Sequence, residues 1–272
     1  PPSFRLPISA IEVMTDDQRD YLQAWQKKCH AAGLVGTDYP VEYGGHGKKG
    51  MQAIAMQQMG RAGVPYMMNI IGLNMAAPTI LVHGTEEQKR RFLPKLLSCE
   101  EIWCQGFSEP GAGSDLAGSQ TSAVRDGDHW VINGSKTFIT NGRIAETAVV
   151  MAVTDRSRGK KGISAFIVER SFPGVSSGKE EHKMGLHGSS TTPVILQDAR
   201  VPAENLLGGE GMAFKIAQTR LGGGRVHHAM RTGLHANPEV PVYGYKDGTR
   251  RWFQSQSEAA QATGAKAANI SK

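Results

Sequence analysis

Cysteine is scarce: the 272 residues include three, Cys29, Cys99 and Cys104. They are odd in number and lack metal-ligand spacing, so no disulfide framework or zinc module is expected, and the usage fits a reducing compartment. No run of apolar residues approaches the roughly 18 that a membrane-spanning helix needs, and the first residues lack the apolar stretch of a secretory leader. A soluble chain without a membrane span is expected. Cations outnumber anions, 31 to 25, for a net charge of +6, yet no long Lys/Arg block forms. Nucleic acid is therefore not the expected partner; a solvated basic surface or a small polyphosphate ligand accounts better for the charge. The sequence opens on Pro1-Pro2 rather than Met, which reads as a processed product or a fragment.

Glycine is abundant instead, with 33 residues against a usual ~7% of a chain. Its distribution follows a change of regime. Residues 15–101 read as helical. Thr15 is a hydroxyl cap ahead of Tyr21, Leu22 and Trp25, and Gly33 can end that first helix. A second helix is expected over Met51–Arg61, its stripe of Met51, Ile54, Ala55, Gln58 and Met59 serving as core. A third covers Ile70–His83. Thr85 and Gln88 then make a capping box, and Pro94 is placed to begin a new first turn.

Near Ile102 the period becomes two. His129–Ile132 and Lys136–Thr140 alternate across Asn133-Gly134, the expected hairpin turn, and further strands are expected over Thr147–Val153, Ile163–Glu169 and Pro193–Leu196. Helical period returns from Gly211 to Met230, and the residues after Leu234 are broken by prolines and poor in large apolar side chains. The expected fold is α+β and multidomain: an N-terminal helical domain (1–101), a middle β-barrel or sandwich domain (102–208), the first helix of a C-terminal helical domain (209–235) and a divergent tail (236–272).

The segment with chemical content is Cys104-Gln-Gly-Phe-Ser-Glu-Pro-Gly-Ala-Gly-Ser-Asp115. Gly111 and Gly113 let the backbone turn tightly and bring its N–H groups near an anion, and Ser108 and Ser114 add hydroxyls. On glycine content alone it could equally be an ordinary turn. It is neither G-x-G-x-x-G, because Leu116 fills the last position, nor a P-loop, because no Gly-Lys-Ser/Thr follows, so a Rossmann nicotinamide site and a Walker NTPase are disfavoured.

Phe107–Asp115 closely resembles the signature of the acyl-CoA dehydrogenase family. Ile132–Gly142, Met184–Ser190 and Val201–Gly208 resemble further family segments in the same order, and the likeness runs roughly from Phe4 to Gly233. It implies FAD as cofactor, an acyl-CoA as substrate, an electron-transfer flavoprotein or similar acceptor as partner, and a homo-oligomer in the full-length family. By position it implies that Gln105, Phe107, Ser108, Gly113, Ser114, Phe138, Ile139 and Thr140 bind FAD. Ser108 would donate to the isoalloxazine, Gly113 and Ser114 would lie near the pyrophosphate, Phe138 would stack near the ring and Thr140 would bond close to N5 and O4. Phe138 could otherwise be a core-facing strand residue. Ser114 and Arg225 are implied to touch the acyl-CoA. The whole reading takes the Phe107 turn and the segment ending at Thr140 as a cradle for the flavin ring, and requires them to lie together with no side chains packed into the space between them.

The family reaction takes a proton from Cα with a carboxylate while hydride leaves Cβ for the flavin. No catalytic base is assigned here. Many relatives carry an acidic residue three positions before the arginine, where this chain has Gly222, and the family pattern ends just after Gly233. Truncation would leave the helix from Gly211 with an exposed apolar face and the chain poorly flavinated. His227-His228, His182 and His187 have no metal-ligand spacing, so no metal is expected. Two alternatives follow: a flavin oxidase or monooxygenase of the same fold, or an inactive remnant binding a partner through that helix. A bacterial-type cytoplasmic location is expected, or the mitochondrial matrix or peroxisome of a eukaryote.

Overall fold

The computed structural model describes residues 15–184 and 190–218, and the backbone of 242–246 and 249–253. In the N-terminal part α1 spans Asp16–Ala31 and begins with a reciprocal capping box between Thr15 and Gln18. Gly33, at φ +73°, follows its end in the left-handed region that glycine adopts without strain. Helix α2 (Met51–Arg61) departs from expectation, because Met59 alone of its side chains is buried. Met51, Ile54, Ala55 and Gln58 instead line an open groove of about 520 Å³ together with Trp25 and Leu34. The apolar stripe is present, but nothing among the described residues covers it.

Residues 70–83 are helical throughout, as expected, but the middle turn, Gly72–Ala76, is widened into a π-helix that continues into α3 (Ala77–His83). A Cβ on Gly72 would fall 2.4 Å from Asn69 Oδ1. Asn69 is fully buried and acts as a hub: its Nδ2 donates to the carbonyls of Leu96 and Glu101, and its Oδ1 accepts from the amide of Trp103. One side chain thus fastens the end of α4 to the start of the sheet. Helix α4 (Glu86–Ser98) opens with the expected Thr85/Gln88 box. Pro94 lies inside it rather than starting a new turn, and it packs under Gly44, where a Cβ would meet Pro94 Cα at 2.8 Å.

Eight strands follow: β1 (Trp103–Gly106), β2 (Ser122–Asp126), β3 (His129–Thr140), β4 (Thr147–Val153), β5 (Ile163–Glu169), β6 (Val175–Ser177), β7 (Thr191–Pro202) and β8 (Leu206–Leu207). Their order is β6-β7-β3-β2-β4-β5-β8, with β1 parallel to β4. Strands β2 and β4 share one paired position, Ser122 with Val153, so the sheet has a narrow seam there. Alternation along β4 and β5 serves two cores. Ala148, Val150, Phe166 and Val168 join Trp130, Ile132, Val194 and Val201 in one. Val149, Met151, Ala165 and Ile167 join Phe92, Leu93 and Leu96 of α4 in the other. The sheet curls over the first core while the helices cap the second, giving a helical N-terminal domain against a barrel-like middle domain.

Two local expectations need correction. Asn133-Gly134 is not a hairpin turn but the middle of the continuous β3; the turn lies at Gly127 (φ +59°), between β2 and β3. Gly134 is required because a Cβ would lie 2.7 Å from Thr121 Cα. Asn133 instead exchanges hydrogen bonds with Asp198, at 2.8 and 3.0 Å, across an irregularity in β7. The helix expected from Gly211 does begin, and Ala213, Ile216 and Ala217 are buried in the second core while Met212 and Phe214 are half-buried; the rest of that helix lies outside the described residues.

The second compact unit, Gln218–Lys272, is described in one hairpin. Strands β9 (Val242–Lys246) and β10 (Thr249–Phe253) pair antiparallel, with Tyr245 opposite Arg250 and Tyr243 opposite Trp252. The sequence reading of 236–272 as a divergent tail named no strand pair there, although the intervening Asp247-Gly248 is a strong hairpin signal.

Candidate functional site

The turn after β1 and the distal half of β3 lie side by side. The amide of Thr137 donates to the carbonyl of Ser108 at 2.9 Å. Glu109 and Ala112 bond each other through both backbone groups, at 2.9 and 3.1 Å, closing the turn tightly. Beneath it, Lys136 Nζ lies 2.6 Å from Glu109 Oε1, and both side chains are buried. The same ammonium reaches the carbonyl of Phe107 at 3.4 Å. Burial works to raise the Glu109 carboxyl, but its bonds from Lys136 and from the amides of Gln120 and Thr121 outweigh that and hold it below the ordinary carboxylate value.

The turn and strand therefore meet, but the open cradle expected between them is not there: the buried Lys136 side chain packs into that space against Glu109 and the Phe107 carbonyl. What they present outward is a surface carrying Gly113 and Ser114 from the turn and Phe138 from the strand end. Phe138 stands on that surface. Simple alternation from Trp130, Ile132 and Lys136 would turn it inward, but β3 carries one extra residue between Lys136 and Ile139 relative to β7. Phe138 is left 67% exposed at φ +55°. The core-facing reading of Phe138 is excluded, and a bulky residue in the left-handed region is a strained placement of the kind that collects at binding sites.

The remaining expected positions divide clearly. Gln105, Phe107, Ser108 and Thr140 are half-buried, with Phe107 resting on the second core, and Gly113 and Ser114 are exposed. Ile139 is the exception: its side chain is buried in the first core, which leaves its backbone alone for a ligand. A Cβ on Gly111 or Gly113 would meet nothing within 4 Å. Neither glycine is demanded by the surrounding protein, which leaves the backbone at both open to approach. An aromatic face, free backbone beside a Ser hydroxyl and a polar strand end suit a flat ring with a phosphate tail.

Arg225 lies outside the described residues, as do His187, His227 and His228 and most of the Met184–Ser190 segment. The Val201–Gly208 segment is structural where it is seen: Asn205 Nδ2 donates to the Ile167 carbonyl at 2.7 Å, and Gln88 donates to the carbonyls of Glu204 and Leu206. Among the described residues no cluster of three His, Cys, Asp or Glu could hold a metal ion, and no helix is long and apolar enough to cross a membrane. The Lys136–Glu109 pair escaped the sequence reading. Alternation from Trp130 and Ile132 suggests an inward Lys136, but it names no partner for the charge.

Two family models match the chain in order: the N-terminal domain of acyl-CoA dehydrogenase over residues 8–100 and the middle domain over 104–199. The chain belongs to the acyl-CoA dehydrogenase family. It is 46% identical over 221 residues to the short-chain specific acyl-CoA dehydrogenase of Clostridium acetobutylicum, covering 80% of this chain and 58% of that protein. Its fold is similar to butyryl-CoA dehydrogenase from Megasphaera elsdenii, with a TM-score of 0.69 at 33% identity over 95% of this chain and 67% of that one. It is also similar to an acyl-CoA dehydrogenase complexed with FAD from Bacillus anthracis, with a TM-score of 0.63 at 35% identity over 82% and 42% of the two chains. The chain spans a little over half the length of the curated relatives it matches. These relatives are oxidoreductases of bacteria and mitochondria.

Proposed function

We propose that this chain serves FAD-dependent α,β-dehydrogenation of an acyl-CoA thioester, with a short acyl group favoured by the names its relatives carry. The observation that carries the reading is the joined surface of the Phe107–Ser114 turn and the Thr137–Thr140 strand end, with Phe138 held outward upon it. FAD, when bound there, supplies a two-electron acceptor. The chain's own groups would bind and orient it. The Phe138 ring would cover one part of the flavin and keep water from it, and the hydroxyls of Ser108 and Thr140 would donate to the edge where negative charge develops. The open backbone at Gly113 and Ser114 would take the phosphates, with Ser114 also facing the CoA thioester. Arg225 is assigned to the substrate from its sequence motif. An electron-transfer flavoprotein or similar acceptor would reoxidise the flavin, and the bacterial and mitochondrial relatives support a cytoplasmic or matrix location.

The test is a titration of the purified chain with FAD, followed by anaerobic addition of butyryl-CoA. Saturable quenching of flavin fluorescence, with a perturbed visible spectrum that shifts again on adding the thioester, supports the proposal. An unperturbed FAD spectrum at saturating protein sinks it. Oxygen consumption without an added acceptor would move the chain to the oxidases of the same fold.

A further inference from the structure

Every strong contact of the buried Lys136–Glu109 pair goes to one loop. Glu109 Oε2 accepts from the amide of Gln120 at 2.6 Å, and Oε1 accepts from the amide of Thr121 at 3.1 Å and from Lys136 Nζ at 2.6 Å. Lys136 in turn reaches the Phe107 carbonyl, while its neighbour Thr137 holds the Ser108 carbonyl. The carboxylate therefore grips the far end of the 107–121 loop, and the ammonium grips the near end. No part of this depends on a ligand being present. A well-packed apolar pair would serve a core as well as an ion pair does, so packing alone does not account for two opposite charges placed here.

We propose that Lys136 and Glu109 are positioning residues: they lock the Phe107–Ser114 turn in its binding shape before the cofactor arrives. This rests on the flavin reading of that turn. A loop already fixed loses little conformational freedom when it captures a ligand, which appears as affinity. Neither side chain needs to touch the cofactor, since Lys136 is fully buried and Glu109 nearly so.

The decisive protein is the double variant Glu109→Leu/Lys136→Met, which exchanges the ion pair for apolar side chains without leaving a lone buried charge. Three measurements are made on it and on the wild-type chain: amide hydrogen exchange, urea unfolding and FAD affinity by fluorescence quenching. In wild type the Gln120 and Thr121 amides should be protected well above the exposed amides of the same loop. In the double variant their exchange should rise at least tenfold, with β4 and β5 still protected, and FAD affinity should fall at least tenfold in buffer where the variant is fully folded, although its urea midpoint drops because the Thr121 amide loses its acceptor. A merely structural pair would lower the midpoint and leave the FAD affinity of the folded variant unchanged, and that result overturns the proposal. So do unprotected Gln120 and Thr121 amides in the wild-type chain, a result that needs no variant to fold. Wild-type protein that protects the loop but binds no FAD would defeat the flavin reading and leave the locking of the loop standing.

Discussion

The amide of Thr137 and the carbonyl of Ser108 are hydrogen-bonded across 2.9 Å, which makes the strand residue just before Phe138 a fixed point of the neighbouring turn. Phe138 is thereby held at φ +55° with its ring in the open. Replacing it by glycine removes strain of about 1–2 kcal/mol at the cost of extra unfolded-state freedom of about 0.5–1 kcal/mol. Phe138→Gly should therefore leave thermal stability within about 1 kcal/mol of wild type, measured by circular dichroism. FAD affinity should drop roughly three- to tenfold, the share expected of one aromatic contact. A variant that loses stability and keeps affinity would show the ring to be structural.

The glycines divide by what surrounds them. A Cβ on Gly134 would meet Thr121 Cα at 2.7 Å, whereas one on Gly113 would meet nothing within 4 Å. Gly134→Ala should cost about 1–3 kcal/mol by overpacking, read as a lower urea midpoint. Gly113→Ala should leave that midpoint unchanged and weaken FAD binding. Equal behaviour of the two variants in both assays would remove the argument that the turn is kept open for a ligand.

Acid should unlock the turn. Burial raises the Glu109 carboxyl, but the Lys136 ammonium and the Gln120 and Thr121 amides hold its folded-state pKa below the ordinary 4.5. A depressed acid contributes stability that is complete above its unfolded-state value and fades as pH falls through the folded-state value. Urea midpoints followed from about pH 6 to pH 3 should therefore decline on the acid side. The Glu109→Gln variant should lack part of that decline, starting from a lower plateau. A variant with the same acid slope as wild type would place the sensitivity in other carboxylates.

All three thiols should be silent in the native chain. Burial pushes Cys99 and Cys104 up to about 12 and raises Cys29 as well. At about pH 8 almost no thiolate forms at such sites. A disulfide-exchange reagent should label none of the three until urea is added, and then all of them. Fast labelling of one thiol in the native chain would contradict the burial of that residue.

Much of the fold is legible in the sequence because its signals are local. The Thr15 and Thr85 caps, Gly33 after α1, and the apolar alternation of β4 and β5 each depend on residues a few positions apart. What escaped depends on distant neighbours. Asn133-Gly134 looks like a turn until Thr121 is known to press against Gly134 and Asp198 to answer Asn133. The stripe on α2 looks like core until the groove beside it is seen to be open. At the site, the serines and glycines of the turn stand out by type. Phe138 could not be oriented, because the extra residue that flips it is measured against β7, more than fifty positions further along. Lys136 and Glu109 lie 27 residues apart and belong to different motifs, so neither motif alone shows the pair.

The seam between β2 and β4 gives the turn a second significance. Strand β1 belongs to the half of the sheet built on β4 and β5, while β2 and β3 belong to the half built on β7. The stretch from Phe107 to Thr121 crosses from one half to the other, and the Thr121 carbonyl accepts the Val153 amide at the crossing. It sutures the seam where β2 and β4 share a single paired position. A molecule resting on it would span both half-sheets and feel any slip between them.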